Sequence, residues 1–167
     1  YVRQRSVSTS SATVDVETKY WNNSGSTRHV QVRTVITDAG GAVVTDTITA
    51  ARTVASGAGD EVIQTATVNN PRLWRGRADP YLYKATVEIH DADAGTITDA
   101  VTVPLGLRSF SLDANTGFTL NGAHTRLHGV NRHQDRLNMG WAVSPADHVQ
   151  DFDLMDEMGV NALRTAH

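Results

Sequence analysis

Two groups of polar side chains near the carboxyl end of the chain could take part in chemistry. Asn131-Arg132-His133 follows a short apolar segment, and Arg164-Thr165-Ala166-His167 follows a second one. Imidazole and guanidinium groups hydrogen-bond polar ligands, and a guanidinium group can also hold a carboxylate with two parallel hydrogen bonds. Two such groups, each at the end of an apolar segment, indicate a binding site more strongly than a single histidine in a loop.

The segments before these two groups predict a strand, a helix and a second strand. Residues 127–131 form the first strand, and residues 160–163 form the second. Ser144 and Pro145 are typical of the first residues of a helix, and Gly159 is typical of the residue after its end. Strand, helix and strand in this order predict parallel pairing with a right-handed crossover. The two polar groups should then lie side by side at the edge where barrel enzymes have their active sites.

The predicted helix has apolar residues at about three-residue spacing, at Val149, Phe152, Met155 and Met158. We expect this stripe to face a sheet. Two strands and one helix cannot close a barrel, so residues 160–163 should expose an apolar edge. Three outcomes are open for this part of the chain: packing on the preceding domain, pairing with another molecule, or loose order.

The first hundred residues show the alternation of apolar and polar side chains that predicts half-buried strands. Val14, Val16, Thr18 and Tyr20 share one face of the clearest example. Turn sequences rich in Gly, Asn and Asp separate the segments. The predicted strands are 3–8, 12–21, 30–36, 42–53, 60–69, 81–89 and 96–103. About seven short strands predict an immunoglobulin-like β-sandwich over residues 1–105.

The segment between the fifth and sixth predicted strands contains two prolines and a tryptophan. Pro71, Trp74 and Pro80 lie where the chain must cross between sheets. We interpret the segment as a structural corner with Trp74 closing one end of the sandwich; an aromatic platform for sugar is the alternative. After residue 105, residues 107–112 and 117–127 predict a short hairpin-like structure with a tight turn at Asn121-Gly122.

Composition excludes several classes of function. The 167 residues carry a net charge of −3, which favours neither nucleic acid nor an anionic membrane as a partner. The sequence lacks any apolar run of the roughly 20 residues that a membrane span needs. Cysteine is absent, which excludes disulfides and thiolate chemistry in this chain and fits a reducing, cytoplasmic compartment.

Four motifs resemble glycoside hydrolases of family 2, most closely those of the β-galactosidase type. They are Phe-x-Leu-Asn-Gly at 118–122, Gly-Val-Asn-Arg-His-Gln-Asp at 129–135, Asp-Phe-x-Leu-Met at 151–155 and Gly-Val-Asn-Ala-Leu-Arg-Thr-Ala-His at 159–167. Leu73-Trp74 and residues 80–83 also resemble the end of that family's immunoglobulin-like domain. The resemblance implies a mainly β fold: a sandwich followed by a short βαβ segment from the start of a truncated (β/α)8 barrel, over residues 106–167.

The resemblance implies that the parent protein is a retaining exo-glycosidase acting on β-linked sugars. Its two catalytic glutamates belong to later barrel strands, so we predict that this chain has no catalytic residue. Asp153 and Glu157, one helical turn apart, should instead face solvent. His133, Arg164 and His167 are implied to line the subsite for the terminal sugar. Asn131 and Asp135 are further candidates, with a strand-end cap and a loop contact as their structural alternatives.

The predicted partners are a carbohydrate substrate, the remaining domains of the parent chain and, in a homo-oligomer, further copies of the parent. We expect no cofactor in this segment; a divalent cation or sodium in the parent enzyme would bind elsewhere. A metal site at His124, His128 and His133 is disfavoured, because their spacing matches no standard zinc pattern. The alternative function is a freestanding β-sandwich module for carbohydrate binding or adhesion. That module would expose coplanar aromatic residues, whereas we predict that most of the aromatic residues are in the core.

Overall fold

The computed structural model describes residues 1–165, which contain thirteen strands, one α-helix and one 3₁₀ turn. His167, one of the predicted sugar ligands, lies outside the described residues. The chain divides into two compact units, Tyr1–Ser109 and Phe110–His167. In the first unit the strands are β1 (Val2–Val7), β2 (Ser11–Trp21), β3 (Arg28–Thr37), β4 (Val43–Ile48), β5 (Arg52–Val54), β6 (Gly59–Asn69), β7 (Tyr83–Asp91) and β8 (Thr96–Leu105), with the 3₁₀ turn at Gly76–Ala78.

The eight strands of the first unit form two antiparallel sheets. One sheet has the order β1-β2-β6; the other has the order β4-β3-β7-β8, with β5 also paired to β3. This arrangement confirms the predicted immunoglobulin-like sandwich. No helix in the described part of the chain is long and apolar enough to cross a membrane.

The core of the sandwich follows from the alternation of side chains along β2, β3 and β6. Val14, Val16, Val32 and Ile36 are almost completely buried, whereas their sequence neighbours on the opposite faces are largely polar. A buried hydrogen bond also joins the two sheets: the hydroxyl of Thr34 in β3 donates to Oε1 of Gln64 in β6 at 2.8 Å. The Gln64 amide is satisfied at both ends, because its Nε2 donates to the carbonyl of Thr47 at 3.2 Å.

Two predicted strand bounds in this unit are wrong. The predicted strand over 42–53 is two strands, β4 and β5, separated near Thr49. The side chain of Thr49 accepts from the backbone N–H of Val32 at 3.0 Å, while its own N–H donates to the Val32 carbonyl at 3.0 Å. This local contact interrupts the ladder along β3. The strand predicted from Tyr81 begins at Tyr83, where its pairing with β8 starts opposite Leu105.

The corner around Trp74 is built from contacts within the first unit. The backbone N–H of Trp74 donates to the carbonyl of Leu107 at 2.8 Å, and its side chain lies against Gly106, where an added Cβ would approach it to 3.2 Å. The guanidinium group of Arg108 lies 5.1 Å from the centre of the Trp74 ring. These contacts support the structural interpretation of Trp74 and leave little of its ring for a sugar.

The second unit contains a three-stranded antiparallel sheet and a βαβ segment. Its elements are β9 (Phe110–Asp113), β10 (Gly117–Leu120), β11 (Ala123–His124), β12 (Gly129–Arg132), α1 (Pro145–Glu157) and β13 (Ala162–Thr165). The predicted tight turn joins β10 to β11, with φ of 52° at Asn121 and 79° at Gly122. Positive φ at both positions suits an Asn-Gly pair and gives a turn with the twist of a hairpin.

One expectation about aromatic residues is wrong. Half of the ten aromatic side chains, namely Tyr1, Trp21, Phe110, Trp141 and Phe152, are more than half exposed. The prediction had placed most of them in the core.

Replacing Ile36 with alanine should lower the free energy of unfolding of the sandwich by about 2–5 kcal/mol, because the side chain is fully buried and its loss leaves a cavity. Ile48→Ala is the matched control: this isoleucine is also in a strand but is 53% exposed, so its replacement should cost much less. Urea denaturation of both variants measures the difference, and equal losses would contradict the assigned core.

Candidate functional site

The strands β12 and β13 pair in parallel, as the order strand, helix, strand predicted. Their register sets Asn131 opposite Arg164 and Arg132 opposite Thr165. Adjacent strands are about 4.8 Å apart, so the polar groups that end the two strands are neighbours. The two strands therefore end next to each other on the same side, as the predicted parallel pairing implies.

The helix α1 defines which face of this two-stranded sheet carries Asn131 and Arg164. Arg132 contacts α1: its guanidinium group donates to Oδ2 of Asp151 at 2.6 Å and to Nδ1 of His148 at 2.8 Å. Side chains alternate between faces along a strand, so Asn131 points away from the helix. Arg164, which is opposite Asn131 in a parallel pair, shares that face. In a (β/α)8 barrel the helices are outside, so this face is the interior.

Arg132 and Arg136 attach the loop after β12 to the helix. Arg136 donates through Nη1 to Asp147 and through Nη2 to Oε1 of Gln150 at 2.7 Å. Asp147 and Asp151 are four residues apart, so both carboxylates lie on the same side of α1. The two ion pairs hold the segment that contains His133 and Asp135 at both of its ends.

The helix α1 starts where Ser144 and Pro145 predicted, and its amino end has a full capping box. The Asp147 N–H donates to the Ser144 hydroxyl at 3.3 Å, and the Ser144 N–H donates to Asp147 Oδ2 at 2.9 Å. Hydrogen bonds from the Ser144 side chain and backbone, followed by Arg136, hold the pKa of Asp147 below its usual 3.8. Gly159 follows the helix with a φ of 74°, as expected for a left-handed end of a helix.

The sequence reasoning gave the wrong packing face for α1. Val149, Phe152 and Met158 are all more than half exposed in the described structure. The side chains that contact β12 instead include His148 and Asp151. The spacing predicts one apolar stripe facing the sheet, but His148 and Asp151 lie on the side of α1 that contacts Arg132 of β12. Asp153 and Glu157 are exposed, as predicted.

The other predicted ligands lie beyond β12. His133 and Asp135 are both exposed and belong to the segment between β12 and a tight hairpin. In that hairpin, Arg136 and Gly140 exchange backbone hydrogen bonds at 3.1 and 3.0 Å. Among residues 1–165, no three His, Asp or Glu side chains are grouped to hold a metal ion.

Asn161 is a residue whose role sequence reasoning missed. Its Oδ1 accepts from the N–H of His128 at 2.8 Å, and its Nδ2 donates to the carbonyl of Arg126 at 2.9 Å. These contacts join the amino ends of β12 and β13 and support their register. The sequence gives one signal for this role of Asn161, namely an asparagine directly before an apolar strand.

Comparison with known proteins assigns both units to one family. The model for glycosyl hydrolases family 2 matches residues 1–108, and the model for the TIM barrel domain of that family matches residues 113–167. The chain therefore belongs to glycosyl hydrolases family 2. The barrel match also confirms that the βαβ segment is the start of a (β/α)8 barrel.

Three relatives illustrate the similarity. A β-galactosidase of Bacteroides ovatus is 35% identical over the whole chain, which covers 19% of that protein. A β-glucuronidase of Bacteroides fragilis is 50% identical over 60% of the chain, and the aligned part is 14% of that protein. The solved structure of Bacteroides uniformis β-glucuronidase superposes with a TM-score of 0.94 at 26% identity, covering the whole chain and 20% of that structure. The part of the chain that aligns thus spans one fifth or less of the length of each of these proteins.

Replacing Arg136 with alanine should accelerate hydrogen exchange in the hairpin at residues 136–140, because the contacts to Asp147 and Gln150 are lost. Arg126→Ala is the control, since Arg126 is an exposed arginine in the same unit. Amide exchange measured by NMR compares the two variants. Equal exchange rates would show that Arg136 does not hold this loop.

Acidification should have the same effect as Arg136→Ala. The folded-state pKa of Asp147 is lowered, so the contribution of its carboxylate to stability is complete above its usual value of 3.8 and is lost as the pH falls through the lower folded value. The protection factors of the 136–140 amides, which correct for the intrinsic pH dependence of exchange, should therefore fall below about pH 3.8. The variant Asp147→Asn should not show this acid-dependent change in hydrogen exchange. If the change is equally large in the variant, a group other than Asp147 causes it.

Proposed function

We propose that this chain forms the immunoglobulin-like domain and the first part of the barrel of a retaining β-glycosidase that hydrolyses terminal β-linked sugars, with β-galactosides favoured. The observation that carries the proposal is the parallel register that sets Asn131 beside Arg164 on the face opposite α1. Family membership supports the same conclusion.

The proposed roles follow from the chemistry of the side chains. Arg164 would hydrogen-bond a sugar hydroxyl or orient a catalytic carboxylate, and the imidazole of His133 and the amide of Asn131 would hydrogen-bond further hydroxyls. Asp135 would accept from a hydroxyl or stabilise the loop, and His167 would complete the wall. Retention of configuration requires two carboxyl groups about 5–5.5 Å apart, which we assign to other barrel strands.

A β-glucuronide is the second candidate substrate. The β-glucuronidase of Bacteroides fragilis, 50% identical over 100 residues, supports it. A glucuronide carries a carboxylate on its sugar ring, and a guanidinium group such as that of Arg164 can bind a carboxylate with two hydrogen bonds. The β-galactosidase of Bacteroides ovatus, aligned over the whole chain, supports the galactoside. The ratio of kcat/KM for nitrophenyl β-galactoside and nitrophenyl β-glucuronide distinguishes them.

The 167-residue chain alone should hydrolyse neither nitrophenyl glycoside, and isothermal titration should detect no binding of galactose at millimolar concentration. The reason is that one pair of barrel strands forms only part of the wall of the proposed sugar subsite. The enzyme encoded by the complete gene, with a glutamate pair on later strands, is the positive control. Hydrolysis by the 167-residue chain, or a reading frame without such a pair, would contradict the proposal.

In the complete enzyme, Arg164→Ala should reduce kcat/KM by about 10- to 100-fold, the loss expected for one hydrogen bond to a charged group. Arg126→Ala should leave kcat/KM nearly unchanged, because Arg126 precedes β12 at the opposite end of the strand. Steady-state kinetics on both variants provides the comparison. If the two variants retain the same activity, Arg164 is not part of the sugar site.

A further inference from the structure

Asn161 joins β13 to the residues that precede β12 through its side chain and its backbone together. Its Oδ1 accepts from the His128 N–H at 2.8 Å, and its Nδ2 donates to the Arg126 carbonyl at 2.9 Å. Its own N–H donates to the His128 carbonyl at 3.0 Å, and the N–H of Ala162 donates to the same carbonyl at 3.3 Å. One residue therefore connects the two strands at their amino ends.

The side chain of Asn161 extends the ladder at a point where the chain is only starting to become a strand. The N–H of Val160 donates to the Met155 carbonyl at 3.0 Å, so the residue before Asn161 is still held by the end of α1. The chain thus changes from helix to strand within one residue. The side-chain amide of Asn161 offers one acceptor and one donor to the neighbouring strand, as an extended peptide group would.

The two strands specify their register only weakly by themselves. Each has four residues and one branched apolar side chain, Val130 in β12 and Leu163 in β13. A register is well specified where a strand has a long apolar face, so strands this short need another contact to fix it. A slip of two residues would keep Arg164 on its face but move it by about 6.6 Å along the strand.

We propose that Asn161 is a positioning residue for the sugar subsite: it sets the register that holds Arg164 beside Asn131, and so determines where the guanidinium group of Arg164 meets the substrate. This inference rests on the proposed function, in which Arg164 binds a sugar hydroxyl or orients a catalytic carboxylate. Asn161 acts from a distance, because it lies at the amino ends of the strands and the candidate ligands lie toward the carboxyl ends.

A double-mutant cycle in the complete enzyme tests the proposal. Asn161→Ala should lower kcat/KM by about 3- to 10-fold, and by less than Arg164→Ala, because it displaces the guanidinium group without removing it. In the Arg164→Ala background, Asn161→Ala should change kcat/KM by less than about twofold, since the group that it positions is already absent. The two single variants should also change the same kinetic constant, kcat or KM.

Asp113→Ala is the matched control. Asp113 is also exposed, belongs to the same unit and makes side-chain hydrogen bonds to the backbone, accepting from the N–H groups of Asn115 and Thr116 at 2.9 Å each. It belongs to the antiparallel sheet and not to the parallel pair. Its replacement should leave kcat/KM within about twofold in both backgrounds, because it does not act through Arg164.

A second variant keeps the test decisive if Asn161→Ala does not fold. The variant Asn161→Asp keeps an oxygen for the His128 N–H, but its carboxylate places a second acceptor against the Arg126 carbonyl. When protonated, the carboxyl group can donate to that carbonyl as the amide does. The kcat/KM of Asn161→Asp relative to the unaltered enzyme should therefore rise as the pH falls from about 7 to about 4. In the Arg164→Ala background the corresponding ratio should stay constant.

The results separate a failure of this proposal from a failure of the proposed function. If Arg164→Ala lowers kcat/KM but Asn161→Ala does not, or if the two losses add, Asn161 does not position Arg164 and the proposed function stands. If Arg164→Ala has no effect, the sugar-site role of Arg164 is wrong and the positioning role falls with it. A loss from Asp113→Ala equal to that from Asn161→Ala would assign the effect to the stability of the unit.

Discussion

The parallel register of β12 and β13 is the constraint on which the functional argument depends. Because the register sets Asn131 beside Arg164, and because Arg132 is held by α1, alternation leaves one face for the two candidate ligands. A shift of one residue would exchange the faces and direct Arg164 toward the helix side. Asn161 opposes such a shift, since its side chain bonds the backbone on both sides of Leu127.

Ion pairs connect the helix to the loop after β12 in the second unit. Asp147 lies in the first turn of α1, where its carboxylate accepts from the N-cap residue, binds Arg136 and lies at the positive end of the helix dipole. One turn later, Asp151 binds Arg132 at 2.6 Å. The same two arginines flank the segment with His133 and Asp135, so the residues that position the loop and those proposed to bind sugar alternate along the sequence. This arrangement lets one short motif supply both support and ligands.

Local signals in the sequence predicted most of the fold. Alternation gave β2, β3 and β6, the Ser144-Pro145 pair gave the start of α1, and Asn121-Gly122 gave the hairpin turn, because each depends on neighbouring residues alone. Contacts between distant residues were not predicted. Thr49 separates β4 from β5 by hydrogen-bonding Val32 of β3, and Arg136 of the loop after β12 contacts Asp147 of α1. For the site, strand order predicted that Asn131 and Arg164 are adjacent. Alternation does not predict where the side chains of His133 and Asp135 point, because both residues lie after the end of β12.

The two units obtain their stability from different sources. Within residues 1–165, every apolar side chain classed as buried lies at or before Leu107, in the sandwich. The second unit has hydrogen-bonded sheets, a capped helix and ion pairs, while Leu137, Trp141 and Phe152 remain largely exposed. Ion pairs near the surface contribute little, usually below about 1 kcal/mol each, and cannot replace a buried core. A barrel encloses the apolar faces of its strands and helices only when all eight strands are present. The exposed apolar surface of this unit therefore follows from its topology, because a single βαβ repeat cannot enclose an interior.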